Sequence, residues 1–159
     1  MSAPKTLPID IRPFAEGELS AIIEMRRAMT LELDGSDLDA DGLWRERFAE
    51  FVTGLIARHD AAFFVAQHDG ELVGTGGVYV LRNHRSEIYG QPSAYVTSVY
   101  VAPAHRRLGV AKRITQAAIE WARGKGCVVV RLRASKQGRM VYESLGFTPT
   151  EEMELHLDR

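Results

Sequence analysis

Between Val96 and Lys112 (VTSVYVAPAHRRLGVAK) the chain passes from a strand-like run, through a proline turn and two adjacent arginines, to a glycine and a helix. Tyr95 to Val101 is β-branched and aromatic, as a strand requires, and Pro103 marks its turn. Beyond Gly109, the residues Val110, Ile114, Ala117, Ala118 and Trp121 recur at helical spacing and make one apolar face. At a helix start the first backbone N–H groups have no partner within the helix, and the aligned peptide dipoles place positive potential there. Gly109 lets a ligand approach the backbone, Ala111 adds little bulk, and Arg106, Arg107 and Lys112 surround the position with cationic donors. That combination suits a pyrophosphate.

The hexapeptide Arg106-Arg107-Leu108-Gly109-Val110-Ala111 resembles the R/Q-x-x-G-x-G/A signature of the GNAT acetyltransferase superfamily, preceded by that family's central strand. A second block, Ala134 to Phe147 (ASKQGRMVYESLGF), resembles the family's strand-end, helix and Tyr-x-x-x-Gly-Phe element, at the family's usual separation from the first. The resemblance implies an α/β fold: a single domain over residues 1–159, with a mixed, mostly antiparallel central sheet flanked by about four helices. It also implies acetyl-coenzyme A as cosubstrate. The backbone amides from Arg107 to Ala111, Leu108, Gly109 and Val110 among them, would hold the diphosphate, with Arg106, Arg107 and Lys112 around it. Pantetheine would lie alongside Val99, Tyr100 and Val101 as a pseudo-strand, where the central strands splay apart and this strand carries a bulge. Tyr142 would return a proton to the departing sulfur, since a phenol of ordinary pKa is protonated at neutral pH. A backbone amide near Val99 would face the developing oxyanion.

Two positions depart from the family's pattern. Ser135 stands where an Asn often begins the second block, seven residues before the tyrosine; its hydroxyl can still cap the helix and reach the pantetheine or phosphate region. Many relatives carry a carboxylate base on the central strand, but here that strand offers Thr97 and Ser98. Glu32, His84, Glu87 or a chain of waters stand open as alternatives. Arg133 and Arg139 flank the implied cleft and read as ordinary exposed arginines. The histidines at 59, 68, 105 and 156 have no metal-ligand spacing, so no metal is expected.

The chain of 159 residues, 45% hydrophobic and 26% charged, has the makeup of one soluble globular domain. A net charge of −1 gives no global field toward nucleic acid or an anionic membrane, so neither is an expected partner. The single cysteine, Cys127, forms no internal disulfide and suits a reducing compartment; it reads as a small core residue. No apolar run approaches a membrane span and no signal-type segment opens the chain, so a cytoplasmic location is expected.

A short edge strand is expected over Leu7–Arg12 and a helix over about Ala15–Leu31, with Leu19, Ile22, Ile23, Met25 and Met29 on its apolar face. Glu32 to Asp41 carries five carboxylates, read as a solvated loop in preference to a lure for a cationic amine. Asp41 is placed to cap a second helix with the stripe Trp44, Phe48, Phe51, Val52 and Leu55. Ala61–Ala66 and Glu71–Leu81 pair as a hairpin across His68-Asp69-Gly70; Gly74, Gly76 and Gly77 mark a bulge or a close approach. Arg82–Ser93 is a polar loop, Cys127–Arg133 a strand, Lys136–Leu145 a helix, and Met153–Asp158 an alternating last strand. The order is β-α-α-β-β-β-α-β-α-β.

No well-placed Cys or Ser-His pair suggests a covalent intermediate, so the expected activity is direct acetyl transfer to a small-molecule amine in a ternary complex. Two alternatives stay open: a non-catalytic acyl-coenzyme A sensor, and acetylation of protein or peptide amines. Members of the family are often dimers, and a homodimer is compatible with this sequence.

Overall fold

The computed structural model describes residues 8–157. Its elements are β1 (Asp10–Pro13), α1 (Leu19–Asp34), α2 (Trp44–Ala57), β2 (Ala61–His68), β3 (Glu71–Leu81), α3 (His84–Tyr89), β4 (Ser93–Val101), α4 (Val110–Gly124), β5 (Val129–Arg131) and α5 (Arg139–Ser144), with 3-10 turns at Glu16–Glu18 and Pro103–His105. The five strands form one sheet in the order β1-β2-β3-β4-β5. The first four are antiparallel and β5 joins β4 in parallel.

Alternation along β2 divides the core. Phe63 and Val65 pack on one face with Ile22 of α1 and Val52 of α2. Phe64 and Ala66 pack on the other with Val110, Ile114, Ala118 and Ala122 of α4. Of the expected stripe of α4, Val110, Ile114 and Ala118 are buried and Ala117 and Trp121 partly so, while Thr115 and Ala122 join the buried face; Ile114 is its fully buried centre. The β2–β3 hairpin turns on Asp69 and Gly70, both at positive φ (49° and 78°), the mirror-type turn that Asp-Gly favours.

The glycines of β3 serve close packing. A Cβ on Gly76 would collide with Cγ2 of Ile114, and one on Gly77 with the ring of Phe63. Gly76 also faces a bulge: Thr75 pairs with Tyr100 and Gly77 with Thr97, so Ser98 and Val99 stand opposite Gly76 alone. Ser98 takes a φ of 58° to make room. The bulge implied for the central strand is present.

So is the splay. β4 and β5 pair only at Ser93–Val129, Ala94–Val130 and Tyr95–Arg131. Beyond Tyr95, β4 continues to Val101 with no strand on that side among the described residues.

Several boundaries differ from expectation. β1 begins at Asp10; Leu7 lies outside the described residues. α1 follows a 3-10 turn and extends to Asp34, where Gly35 ends it at φ 76°. The loop from Arg82 to Ser93 contains α3, started by a reciprocal cap in which Asn83 Oδ1 accepts from the Ser86 amide (3.2 Å) and Ser86 Oγ accepts from the Asn83 amide (2.9 Å). β5 is three residues long, and Cys127 lies before it, half-buried. Residues 151–157 form no strand: Met153, Leu155 and Leu157 are 93%, 83% and 79% exposed. An alternating segment takes its register from a buried face, and this one has none. No helix among the described residues is long and apolar enough to cross a membrane.

Candidate active site

The splay between β4 and β5 opens a cleft of about 1000 Å³, closed by α1 on one side, by α5 on the other and by the start of α4 at its end. The chain reaches that helix start by a tight path. The Ala102 amide donates to Val73 O (2.8 Å), the 3-10 turn follows, and Arg107 and Gly109 adopt φ of 62° and 77°. α4 then begins, with Arg113 N donating to Gly109 O (3.1 Å). The amides of Val110, Ala111 and Lys112 precede that bond and have no acceptor within the helix. A Cβ on Gly109 would meet nothing within 4 Å, so the approach to these amides is open.

Val99, Tyr100, Val101, Arg106, Arg107, Gly109, Val110, Ala111, Lys112, Ser135 and Tyr142 all line this one cleft. Leu108 does not; it is 60% exposed and turned outward. Arg106 is there with its donors already engaged. Its Nε donates to Val101 O (2.9 Å), its two Nη atoms bind the Glu32 carboxylate, and its plane stands 5.5 Å from the Tyr100 ring centre. Arg106, expected beside the diphosphate, is thus at that end of the cleft with its guanidinium already paired. Arg107 and Lys112 have no carboxylate within salt-bridge distance among the described residues.

The second block folds into a small turn followed by a short helix. Ser135 Oγ accepts from the Gly138 amide (3.1 Å) and closes the turn ahead of α5; the expected helix cap is not formed, since α5 starts after Gly138 with no side-chain cap. A Cβ on Gly138 would stand 3.0 Å from the Tyr142 ring and 3.2 Å from Ser135 Oγ, so that glycine allows both to sit together. It is a positioning residue not singled out in the sequence, where the signal was a lone glycine ahead of a short helix. Tyr142 packs edge-on to Phe147 (5.9 Å between centres, 72°), and burial pushes its phenol pKa up.

The base candidates fare unequally. Glu32 lines the cleft but is held by Arg106, whose hydrogen bonds keep its carboxyl below the usual range. His84 and Glu87 lie exposed on α3, away from the cleft. Arginines of the flanking helices pair with the acidic loop: Arg27 of α1 forks onto Asp37 (2.8 and 2.7 Å), Arg45 of α2 binds Asp39 (3.0 Å) and Glu24, and Arg47 of α2 binds Asp41 (2.9 Å). Asp41 Oδ1 also accepts from the Leu43 amide (2.9 Å) at the entry to α2. Among the described residues no three metal-ligating side chains gather.

Arg26 was not anticipated. It lines the cleft from α1, half-buried, and burial lowers its guanidinium pKa, Tyr95 across the cleft being its one opposing influence.

A bulged central strand, a splayed sheet and a helix start with free amides define an acetyltransferase scaffold of the GNAT kind. The chain belongs to that family: residues 21–147 match the sequence model of the acetyltransferase (GNAT) family. It is 36% identical over 94 residues to aminoglycoside N(6')-acetyltransferase type 1 of Klebsiella aerogenes, a match covering 57% of this chain and 61% of that protein. The chain thus spans about three fifths of that relative's length. The fold superposes on a GCN5-related N-acetyltransferase from Ralstonia eutropha with a TM-score of 0.81, at 22% identity over 94% of this chain and 99% of the other. A protein from Clostridium acetobutylicum described as a predicted acetyltransferase, solved with acetyl-CoA, gives 0.79 at 19% identity, over 95% and 96% of the two chains.

Proposed function

We propose that this protein transfers the acetyl group of acetyl-coenzyme A to the amine of a small molecule, by direct attack within a ternary complex. The observation that carries this reading is the juxtaposition of the free edge of β4 with the unbonded amides that open α4. The amides of Val110, Ala111 and Lys112, with the Arg107 and Lys112 side chains, fit a diphosphate. The unpaired edge from Val96 to Val101 fits the amide-rich pantetheine as an added strand. An amide at the bulge, near Val99, is the candidate oxyanion donor.

Acetyl-coenzyme A supplies the activated thioester. Tyr142, kept protonated by burial, is the residue that returns a proton to the sulfur when the carbon–sulfur bond breaks. Arg106 acts as a strut: it ties the phosphate loop to the end of β4 and to α1. Among the described residues no unpaired carboxylate lines the cleft, so the amine proton leaves to water or the amine enters neutral.

That absence of a base is also the one feature favouring a non-catalytic acyl-coenzyme A sensor. The arginine-paired acidic loop weakens the case for basic peptides. The Klebsiella relative's name makes aminoglycosides one acceptor class to test. Thiol release from acetyl-coenzyme A with amino acids, polyamines, aminoglycosides and peptides decides the matter. Turnover with a free small amine supports the proposal; coenzyme binding without turnover on every acceptor supports the sensor.

A further inference from the structure

Arg26 projects from α1 into the cleft, followed at helical spacing by Met29 and Glu32 on the same wall. Among the described residues its one side-chain hydrogen-bond acceptor is the Met29 sulfur, 3.8 Å from Nη1 and a weak one. The acidic groups within reach on its own helix are taken: Glu24 by Arg45 and Glu32 by Arg106. Its neighbour Arg27 is satisfied by Asp37. Across the cleft, β4 presents the phenol of Tyr95 and the alcohol of Thr97 and no carboxylate. Among the described residues no carboxylate lies within 4 Å of Arg26. A half-buried guanidinium with five donors and one soft acceptor is costly to keep, unless a ligand completes it.

The cleft as a whole has the same bias. Among the described residues Arg26, Arg106, Arg107, Lys112 and Arg133 line it, against the single carboxylate of Glu32, which is already paired. Arg26 and Glu32 are six residues apart on α1, about 9 Å along the helix axis. Arg26 therefore lies up the cleft from the diphosphate end, on the side left for the acceptor.

Resting on the acetyl-transfer reading above, we propose that Arg26 is a specificity-determining residue that receives an anionic group, carboxylate or phosphate, carried by the amine acceptor. The substrate class is then an anionic amine, such as an amino acid or an amino-sugar phosphate. A polycation such as an aminoglycoside or polyamine meets an unpaired arginine of its own sign.

The test pairs wild type with R26Q and R26K on matched acceptors: α-amino acids against their amides, glucosamine 6-phosphate against glucosamine, and kanamycin and spermidine as polycations. Thiol release gives kcat/KM, and calorimetry gives binding of each amine to the coenzyme A-loaded protein. Wild type should prefer an anionic member, and R26Q should lower its kcat/KM by about 100-fold. The uncharged counterpart and the coenzyme Kd should stay unchanged, with R26K in between. Whether the amino acid or the sugar phosphate responds tells carboxylate from phosphate. Preference for kanamycin or spermidine, or an R26Q variant as active as wild type on the anionic acceptor, overturns the proposal. If coenzyme binds but no acceptor releases thiol, the catalytic reading fails, and the calorimetric arm still decides Arg26. Anionic amines binding wild type but not R26Q support it, and their failure to bind wild type refutes it. The thermal midpoint of R26Q, compared with R26K, separates a folding defect from lost recognition.

Discussion

The carboxylate of Glu32 grips both Nη atoms of Arg106, joining two residues 74 apart in sequence and tying α1 to the loop before α4. If Arg106 is a strut, Glu32→Gln and Arg106→Gln should each weaken acetyl-coenzyme A binding, and the double variant should be little worse than either. If Arg106 itself gripped phosphate, Glu32→Gln would free it and tighten binding. Calorimetric Kd values for the two singles and the double distinguish these outcomes. The pair is about a third exposed on both sides, so its coupling in denaturant unfolding should be only about 0.5–1 kcal/mol.

At Gly109 the backbone, not space, is the constraint. With φ at 77° and no neighbour near a Cβ, Gly109→Ala should cost about 1 kcal/mol of stability from left-handed strain alone. Gly109→Glu adds a negative charge beside the free amides and should raise the coenzyme Kd by about tenfold or more. An unaltered Kd in calorimetry would remove the phosphate cradle from this position.

Replacing Tyr142 by Phe should lower kcat by about 100-fold while the acetyl-coenzyme A Kd stays within about twofold. Burial raises the phenol pKa, so the acid form persists to higher pH than in a free tyrosine. Ionisation of Tyr142 should thus cause no loss of rate below pH of about 10. Turnover of Tyr142→Phe equal to wild type would assign the proton to another donor.

Gly76→Ala should be among the most damaging single-methyl additions in the sheet. The new Cβ meets Ile114 Cγ2 at the centre of the core and Val99 Cγ2 at 3.3 Å beside the bulge. Overpacking of this kind costs about 1–3 kcal/mol, readable as a lowered urea midpoint at unchanged slope.

The acidic loop should show its pairing in acid. Asp37 has its pKa lowered from 3.8 to about 2, first by the Arg27 hydrogen bonds and then by the Asp39 amide. A folded pKa below the unfolded one gives stability that is present above 3.8 and lost as pH falls toward 2. Asp37→Asn should flatten the pH dependence of the urea midpoint across that window, and a profile identical to wild type would disprove the pairing.

Legibility followed the range of the interaction that decides each element. The stripe of α4 and the Asp69-Gly70 hairpin depend on neighbours in sequence and were readable. The bulge and the splay depend on a partner strand, and came from the resemblance to a family. α3 has no apolar period; its signal was the cap formed by Asn83 and Ser86. Alternation at Met153, Leu155 and Leu157 describes a strand that could exist, and it needs a neighbour that the fold does not supply. Arg26 and Arg27 are adjacent and identical in type. Only the folded loop shows that Asp37 reaches one and leaves the other bare.

β5 is stitched to the rest of the sheet by three residue pairs. A cosubstrate lodged in the gap would bridge the torn edge, so part of this protein's cohesion would be borrowed from its cargo. Its lifetime against proteases would then rise and fall with the coenzyme supply of the cell.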